Sequence, residues 1–445
     1  MSDSQPVIFS TSTQHTLPPS KYLIPTTWAR FQLSQLINKA LELPQPVPFD
    51  FLIRGQLLRG TIAEWCKAND VKEEETLEIE YFESLMPPKL LASIEGEEWV
   101  GSVDCKLKGY ILTASYDGIV RVYDQSQKIL HSIGGHAGAV TTSCWISSSS
   151  AGGSLSVLSG SHDGTAQITP IPHLEQGTGN NQLLGAASLR LHTSPVASVA
   201  ANPGGTHVLT AGWDGLLGVF STSIPKEDEV MDEDQPVTRK KRRKVETPAP
   251  QPKRKAPIHV LRSHTGKVTR GIFNQEGKTA YSCSVDSTIR TWDTELGVCT
   301  STITANNRPM TDITILKDNT TLLAASSDRV VSIYDLRQAT LTGPPPVLPH
   351  PAFPAALCAH PTSTYKAATG SYDGVVRLWD LRSAKAAVNV FSISGKQHQN
   401  DRVSGPKESK KILSLDWANG MLAVGGEAGV ELWRVSENDE FTRTG

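Results

Sequence analysis

The sequence predicts a mainly β protein: a ring of seven four-stranded sheets, a seven-bladed propeller, behind a small α+β domain. Three observations carry this. A short unit recurs seven times along the chain, its spacing suits one four-stranded sheet per copy, and the first 80 or so residues carry different punctuation. The unit is a tight-turn acid followed by a strand with an aromatic residue near its end. Its plainest copies are SVDSTIRTWD from Ser284 and SYDGVVRLWD from Ser371. Weaker copies begin at Ser115, Ser161, Gly212, Ser326 and Gly425.

The turn acids are Asp117, Asp163, Asp214, Asp286, Asp328, Asp373 and Glu427, spaced 46, 51, 72, 42, 45 and 54 residues apart. Six residues after them stand Tyr123, Thr169, Phe220, Trp292, Tyr334, Trp379 and Trp433. Six of those seven are aromatic in a chain that is 6% aromatic, so chance explains them poorly. Period and ending resemble WD40 repeats, which implies radial blades around a channel.

A carboxylate buried in such a turn must be hydrogen-bonded, because a bare one costs several kcal/mol. His136, His192, His264 and His350 lie 27, 22, 22 and 23 residues before their acids, and a serine stands two before most acids. Complete sets are therefore expected in blade four (His264, Ser284, Asp286, Trp292) and blade six (His350, Ser371, Asp373, Trp379). Such sets look like catalytic triads, but an active site is single and these repeat, so they read as networks that pin the blades. Blades one, five and seven show no evident histidine and are expected to be looser.

A ring must also hide its first and last strand edges. Only twelve residues follow Trp433, and Lys89–Val100 reads like Lys128–Val140, so Leu90–Ile94 is expected to supply the outer strand of blade seven. The organisation expected is thus 1–84 for the first domain, 85–98 for a linker with the closing strand, and 99–445 for the ring.

Within 1–84, Val7–Thr11, Tyr22–Ile24, Pro48–Ile53 and Thr76–Phe82 read as strands. Arg30–Leu43 reads as a helix on the stripe Leu33, Leu36, Ile37, Ala40, Leu41, ended by Pro44, and a shorter helix lies within 55–70. This order resembles the ubiquitin-like β-grasp fold. The chain continues through SLMPPK with no terminal Gly-Gly, so the domain is expected to dock rather than to be conjugated.

PVPFDFLIRGQLLRGTIAEWC, LEIEYFESLMPP and EEWVGSV ahead of seven repeats resemble the WD-repeat subunits of the PeBoW complex. The resemblance covers nearly the whole chain. It implies a factor for assembly of the large ribosomal subunit and rRNA maturation, acting in nucleolus and nucleoplasm on the pre-60S particle. It also implies a block-of-proliferation-type propeller partner, a pescadillo-type protein, and docking of the ubiquitin-like domain, similar to that of notchless, on the metal site of the AAA ATPase midasin. There one glutamate would complete the coordination of a divalent cation such as Mg²⁺. Aligned on LEIEY that residue is Glu74, with Glu73 and Glu75 beside it; without the resemblance all three read as a solvated acidic turn.

The longest interval holds a charged insertion, 225–257. Its acids Glu227, Asp228, Glu229, Asp232, Glu233 and Asp234 precede Arg239, Lys240, Lys241, Arg242, Arg243 and Lys244, with Lys253, Arg254 and Lys255 beyond. Few apolar residues predict a disordered loop, and the basic run reads as a nuclear localisation signal or an RNA-contacting patch. Globally, 43 Lys and Arg against 45 Asp and Glu give a net charge of -2, so no overall basic field drives nucleic-acid binding. The six cysteines contain no CxxC pair, which argues against a disulfide framework or a zinc site, and no intrinsic cofactor is expected. No apolar run of about 18 residues or basic-apolar leader is present, so neither membrane insertion nor secretion is expected.

Two further readings compete. WDLR (Trp379–Arg382) and YDLR (Tyr334–Arg337) suggest a cullin ubiquitin-ligase substrate receptor. An enzyme is disfavoured by the lack of a Gly-rich phosphate loop, HExxH or G-x-S-x-G.

Overall fold

A computed structural model describes residues 4–11, 15–18, 20–43, 46–71, 75–84, 87–147, 155–172, 181–229, 252–304, 308–337, 344–384, 386–393 and 410–435. The chain divides into two compact units, Met1–Pro88 with Trp379–Asn389 and Val435–Gly445, and Lys89–Leu378 with Val390–Arg434.

The N-terminal residues of the first unit form a five-stranded sheet from β1 (Ser4–Ser10), β2 (Lys21–Pro25), β3 (Phe49–Ile53), β4 (Gln56–Leu57) and β5 (Leu77–Glu83), in the order β2-β1-β5-β3-β4. β1 and β5 run parallel at the centre, with Val7 opposite Leu77. Helix α1 (Arg30–Ala40) buries Leu33 and Ile37 in a core with Phe9, Phe49, Phe51 and Tyr81. It stops at Ala40, short of the expected Leu43, because Leu41 caps it and Glu42 turns to φ 48°. Helix α2 (Ile62–Ala68) starts on a reciprocal cap: Glu64 N donates to Thr61 Oγ1 at 3.2 Å, and Thr61 N donates to Glu64 Oε2 at 3.3 Å. The two-residue β4 pairs back onto β3 through the left-handed turn Arg54–Gly55, a strand too short for sequence periodicity to show.

Among the described residues, the ring consists of seven sheets. Their innermost strands begin at Val100, Val140, Val196, Val268, Met310, Pro354 and Ile412, and each lies beside the next until the seventh meets the first. The closing strand, Lys89–Ile94, pairs antiparallel with Gly429–Arg434, so the seventh sheet takes its outer strand from ahead of the first. Acids on the inner strands bond the neighbouring inner strand. Asp416 Oδ2 accepts from Cys105 N at 2.7 Å across the closure, and Asp312 Oδ2 accepts from Leu357 N at 2.7 Å. Burial pushes the Asp312 carboxyl above its usual range.

Two sheets carry a fifth strand. Asn181–Leu184 runs parallel to Ile129–Gly134 on sheet one, and Lys253–Lys255 runs parallel to Ala187–Arg190 on sheet two. The second overturns the expectation that all of 225–257 is disordered. Asp228 Oδ1 accepts from Arg254 N at 2.8 Å, Glu229 N donates to Arg254 O at 2.9 Å, and Glu229 Oε2 accepts from Ala256 N at 3.0 Å. Lys255 is 2% exposed, with its ammonium on Ser223, and burial lowers its pKa against the pull of Glu229. Composition suggested disorder, but the open edge of sheet two and two acids at the start of the loop supply the missing partners. Lys253, Arg254 and Lys255 are therefore part of a sheet rather than of a free basic tail.

Among the described residues no helix is long and apolar enough to cross a membrane. All six cysteines are free thiols, five of them buried.

Candidate partner-binding surfaces

The turn after each second strand bends through a left-handed residue, supplied by Gly118, Gly164, Gly215 and Gly374 at φ between 72° and 87°, just after the acid. This bend brings the acid back toward the segment ahead of the inner strand. In blade four, His264 Nδ1 lies 2.9 Å from Asp286 Oδ2, and its Nε2 lies 2.7 Å from Ser282 Oγ. Trp292 Nε1 donates to the same Ser282 Oγ at 2.8 Å. Burial lowers the His264 pKa, so the ring is neutral. Its Nδ1–H then faces the carboxylate, and Ser282 donates to Nε2. Bonds from Thr288 and His264 outweigh burial and hold Asp286 down to about 2.

The serine that joins histidine to tryptophan is thus Ser282. Ser284, the expected member, instead accepts from Asp286 N at 3.1 Å and supports the turn. The missed signal is a hydroxyl four residues before the acid: Ser159 and Thr210 meet His136 and His192 at 2.8 and 2.9 Å, and both histidines reach their acids. Ser282 is fully buried and its oxygen is occupied by the indole, so Ser282–His264–Asp286 cannot attack a substrate.

Blade six departs from the expected set. His350 does not bond Asp373; its Nε2 lies 2.8 Å from Thr369 Oγ1 and its Nδ1 3.0 Å from the Leu348 carbonyl. Arg377 takes Asp373 at 2.7 Å and Ser371 Oγ at 3.0 Å, because a guanidinium four residues on reaches the carboxylate first. Trp379 is buried. Blade one uses the same device, with Arg121 Nη2 2.6 Å from Asp117 Oδ2. In blade seven the Lys411 backbone N–H donates to Glu427 Oε2 at 3.1 Å.

Tyr116, His162, Trp213 and Tyr372, each one residue before its acid, are exposed. Tyr116 N donates to Trp99 O at 2.9 Å and Tyr372 N to Phe353 O at 3.0 Å, so residues ahead of the inner strands join the same surface. The result is a belt of rings: Phe353–Tyr372 at 4.9 Å, Trp99–Tyr116 at 6.0 Å, Tyr116–His162 at 6.3 Å and His162–Trp213 at 5.5 Å. Lys267 Nζ lies 4.3 Å above Trp213, and Lys411 Nζ lies 5.6 Å from Trp99 and 5.9 Å from Tyr372. Trp99 and Trp213 remain 42% and 38% exposed. Aromatic residues this accessible on adjoining blades form a surface suited to a protein partner.

In the first unit, Lys72, Glu73 and Glu74 lie outside the described residues, as do Arg239–Lys244. Glu75 is described: its carboxylate pairs with Arg54, and its carbonyl accepts from Gln5 Nε2 at 2.6 Å. No cluster of three or more His, Cys, Asp or Glu that would hold a metal occurs among the described residues. The arginines of WDLR and YDLR are each folded onto the aspartate of their own motif, Arg382 on Asp380 at 2.7 Å and Arg337 on Asp335 at 2.9 Å.

Fold and surfaces define a class, a propeller of WD repeats carrying an N-terminal module. Comparison with known proteins agrees. The NLE (NUC135) domain family matches residues 6–66, and the WD domain, G-beta repeat family matches 127–168, 186–221, 255–293, 297–335 and 347–380. Relatives named ribosome biogenesis protein YTM1 are 47% identical in Laccaria bicolor and 44% in Coprinopsis cinerea, each covering 98% of this chain and 96% of the relative. One from Eremothecium gossypii is 31% identical over 90% of this chain and 89% of the relative. The chain belongs to the YTM1 family of ribosome biogenesis proteins.

Proposed function

We propose that this chain is a non-catalytic assembly factor of the pre-60S particle, supporting rRNA maturation in nucleolus and nucleoplasm. The ring receives a block-of-proliferation-type propeller, joined by a pescadillo-type protein, and the N-terminal domain presents Glu74 to the metal site of midasin. The aromatic belt carries the first half of this reading, because accessible tryptophans with lysines over their faces are the side chains that dominate protein interfaces. For the second half, Mg²⁺ favours oxygen ligands and an open octahedral site, which one carboxylate offered in trans suits. Glu75 is engaged by Arg54, which leaves Glu74 and Glu73 as the acids of the turn without a described role.

Paired pull-downs from cells test both halves. Trp99→Ala with Trp213→Ala is expected to weaken capture of the partner propeller by at least about 100-fold, as hot-spot residues each contribute roughly 2 kcal/mol, with the melting temperature unchanged. Glu74→Ala is expected to keep that partner, lose midasin and strand the complex on the pre-60S particle; normal midasin capture overturns the assignment. Arg239–Lys244 are proposed to direct nuclear import. Deleting those six alone spares the sheet-bound Lys253–Lys255, and unchanged nuclear accumulation would remove the import role.

A further inference from the structure

Blades one and six share the frame around the turn acid and differ at the histidine position. In blade six, Arg377 satisfies Asp373, and His350 fills the space beside them, bridging Thr369 Oγ1 and the Leu348 carbonyl. Blade one repeats the frame. Arg121 satisfies Asp117, Thr113 stands four residues before the acid as Thr369 does, and Ile94 stands six before the inner strand as Leu348 does. Val100 pairs with Ser115 as Pro354 pairs with Ser371, and four residues back from each lie Gly96 and His350. Glycine occupies the histidine position, and a cavity of about 420 Å³ opens there. Ile94, Gly96, Thr113, Ser115, Arg121 and Gln182 line it.

We propose that this cavity is a binding site for a histidine side chain carried by another polypeptide, inserted where blade six holds its own. The hydroxyl that bonds the imidazole in blade six has its counterpart in Thr113, which keeps acceptor capacity after meeting Tyr123. Ile129 and Val430 supply apolar walls for the ring edge, and Glu95 and Glu97 line the rest of the cavity, favouring a donor or a cationic ring over an anion. The charge of Arg121 is already met by Asp117. The space beside the turn is open where blade six holds its ring, and its polar walls reward a ring with two nitrogen atoms over a hydrocarbon. Trp99 and Tyr116 of the aromatic belt flank this site in sequence, so the proposal rests on reading that face as partner-binding. A small probe tests the cavity without the partner, so the two readings fail separately.

The probe is acetyl-histidine methylamide, observed by saturation-transfer NMR with the full-length protein, beside its phenylalanine and arginine counterparts. Saturation is expected to reach the imidazole protons at least five times more strongly than the phenyl protons. It is expected to be lost in Gly96→His, whose own ring fills the space, and to fall at least threefold in Thr113→Val with the melting temperature unchanged. The Cβ added in Gly96→His approaches Glu98 O at 3.0 Å; if that variant does not fold, Thr113→Val decides alone. Equal transfer to the phenylalanine probe, stronger transfer to the arginine probe, or unchanged transfer in the folded variants overturns the proposal.

Discussion

Blade four and blade one share a strand frame but hold it differently. In blade four a neutral histidine joins acid, serine and tryptophan into one buried chain of bonds. In blade one the acid is taken by an arginine on the neighbouring strand, and the space for the ring is a cavity. Blade five, where sequence likewise shows no evident histidine, has a cavity of about 90 Å³ bordered by Arg308, Ser326, Asp328 and Tyr334. The frame therefore forms without the network, and in blades one and five a cavity borders the turn.

The largest effect that would break this comparison is at the tryptophan. Trp292→Ala removes a fully buried ring from blade four and should cost about 3–5 kcal/mol. Tyr123→Ala, beside the blade-one cavity, should cost clearly less, because its surroundings are already incompletely packed. Thermal melts of both variants would show it, and equal losses would mean the blades are packed alike.

Acid sharpens the comparison at smaller scale. Burial holds His350 from 6.5 down to about 4, and lowers His192 and His264 as well. These rings are neutral when folded and protonate once unfolded, so their contribution is full above about pH 6.5 and is lost as pH falls toward 4. Melting temperature is expected to decline across that window. His350→Gln should be less stable at pH 7.5 and flatter below 6.5; a slope identical to that of the unsubstituted protein would exclude His350 as a source.

The smallest effect lies in the turns. Blade four uses Ser287 at φ 64° where blades one, two, three and six use glycine. Ser287→Gly relieves a left-handed serine and should raise stability by about 1 kcal/mol or less, readable as a small upward shift of the melt.

Much of the ring was legible because its repeat is anchored by turn chemistry. Acid, left-handed residue and aromatic residue recur at fixed offsets, and the outer strand Leu90–Ile94 betrayed itself by likeness to Lys128–Val140. Two of the errors share one cause. Ser284 stood for Ser282 and Asp373 for a partner of His350, because spacing shows which side chains recur but not which neighbour reaches a polar atom first. Lys253–Lys255 looked like a solvated tail because composition cannot show that a neighbouring blade leaves an edge to fill. The aromatic belt is not legible in the sequence, although Tyr116, His162, Trp213 and Tyr372 each precede a turn acid, since only the ring sets these residues side by side.

Sequence alone determined the blade count, the order of the longer elements of the N-terminal domain and the family, since hydrophobic period and turn residues act over a few positions and survive without coordinates. Tertiary structure decided which acid meets histidine and which meets arginine, where a fifth strand joins, and where a cavity borders a turn. Those outcomes depend on distances between residues tens of positions apart, and a hydrogen bond forms or fails within a few tenths of an ångström.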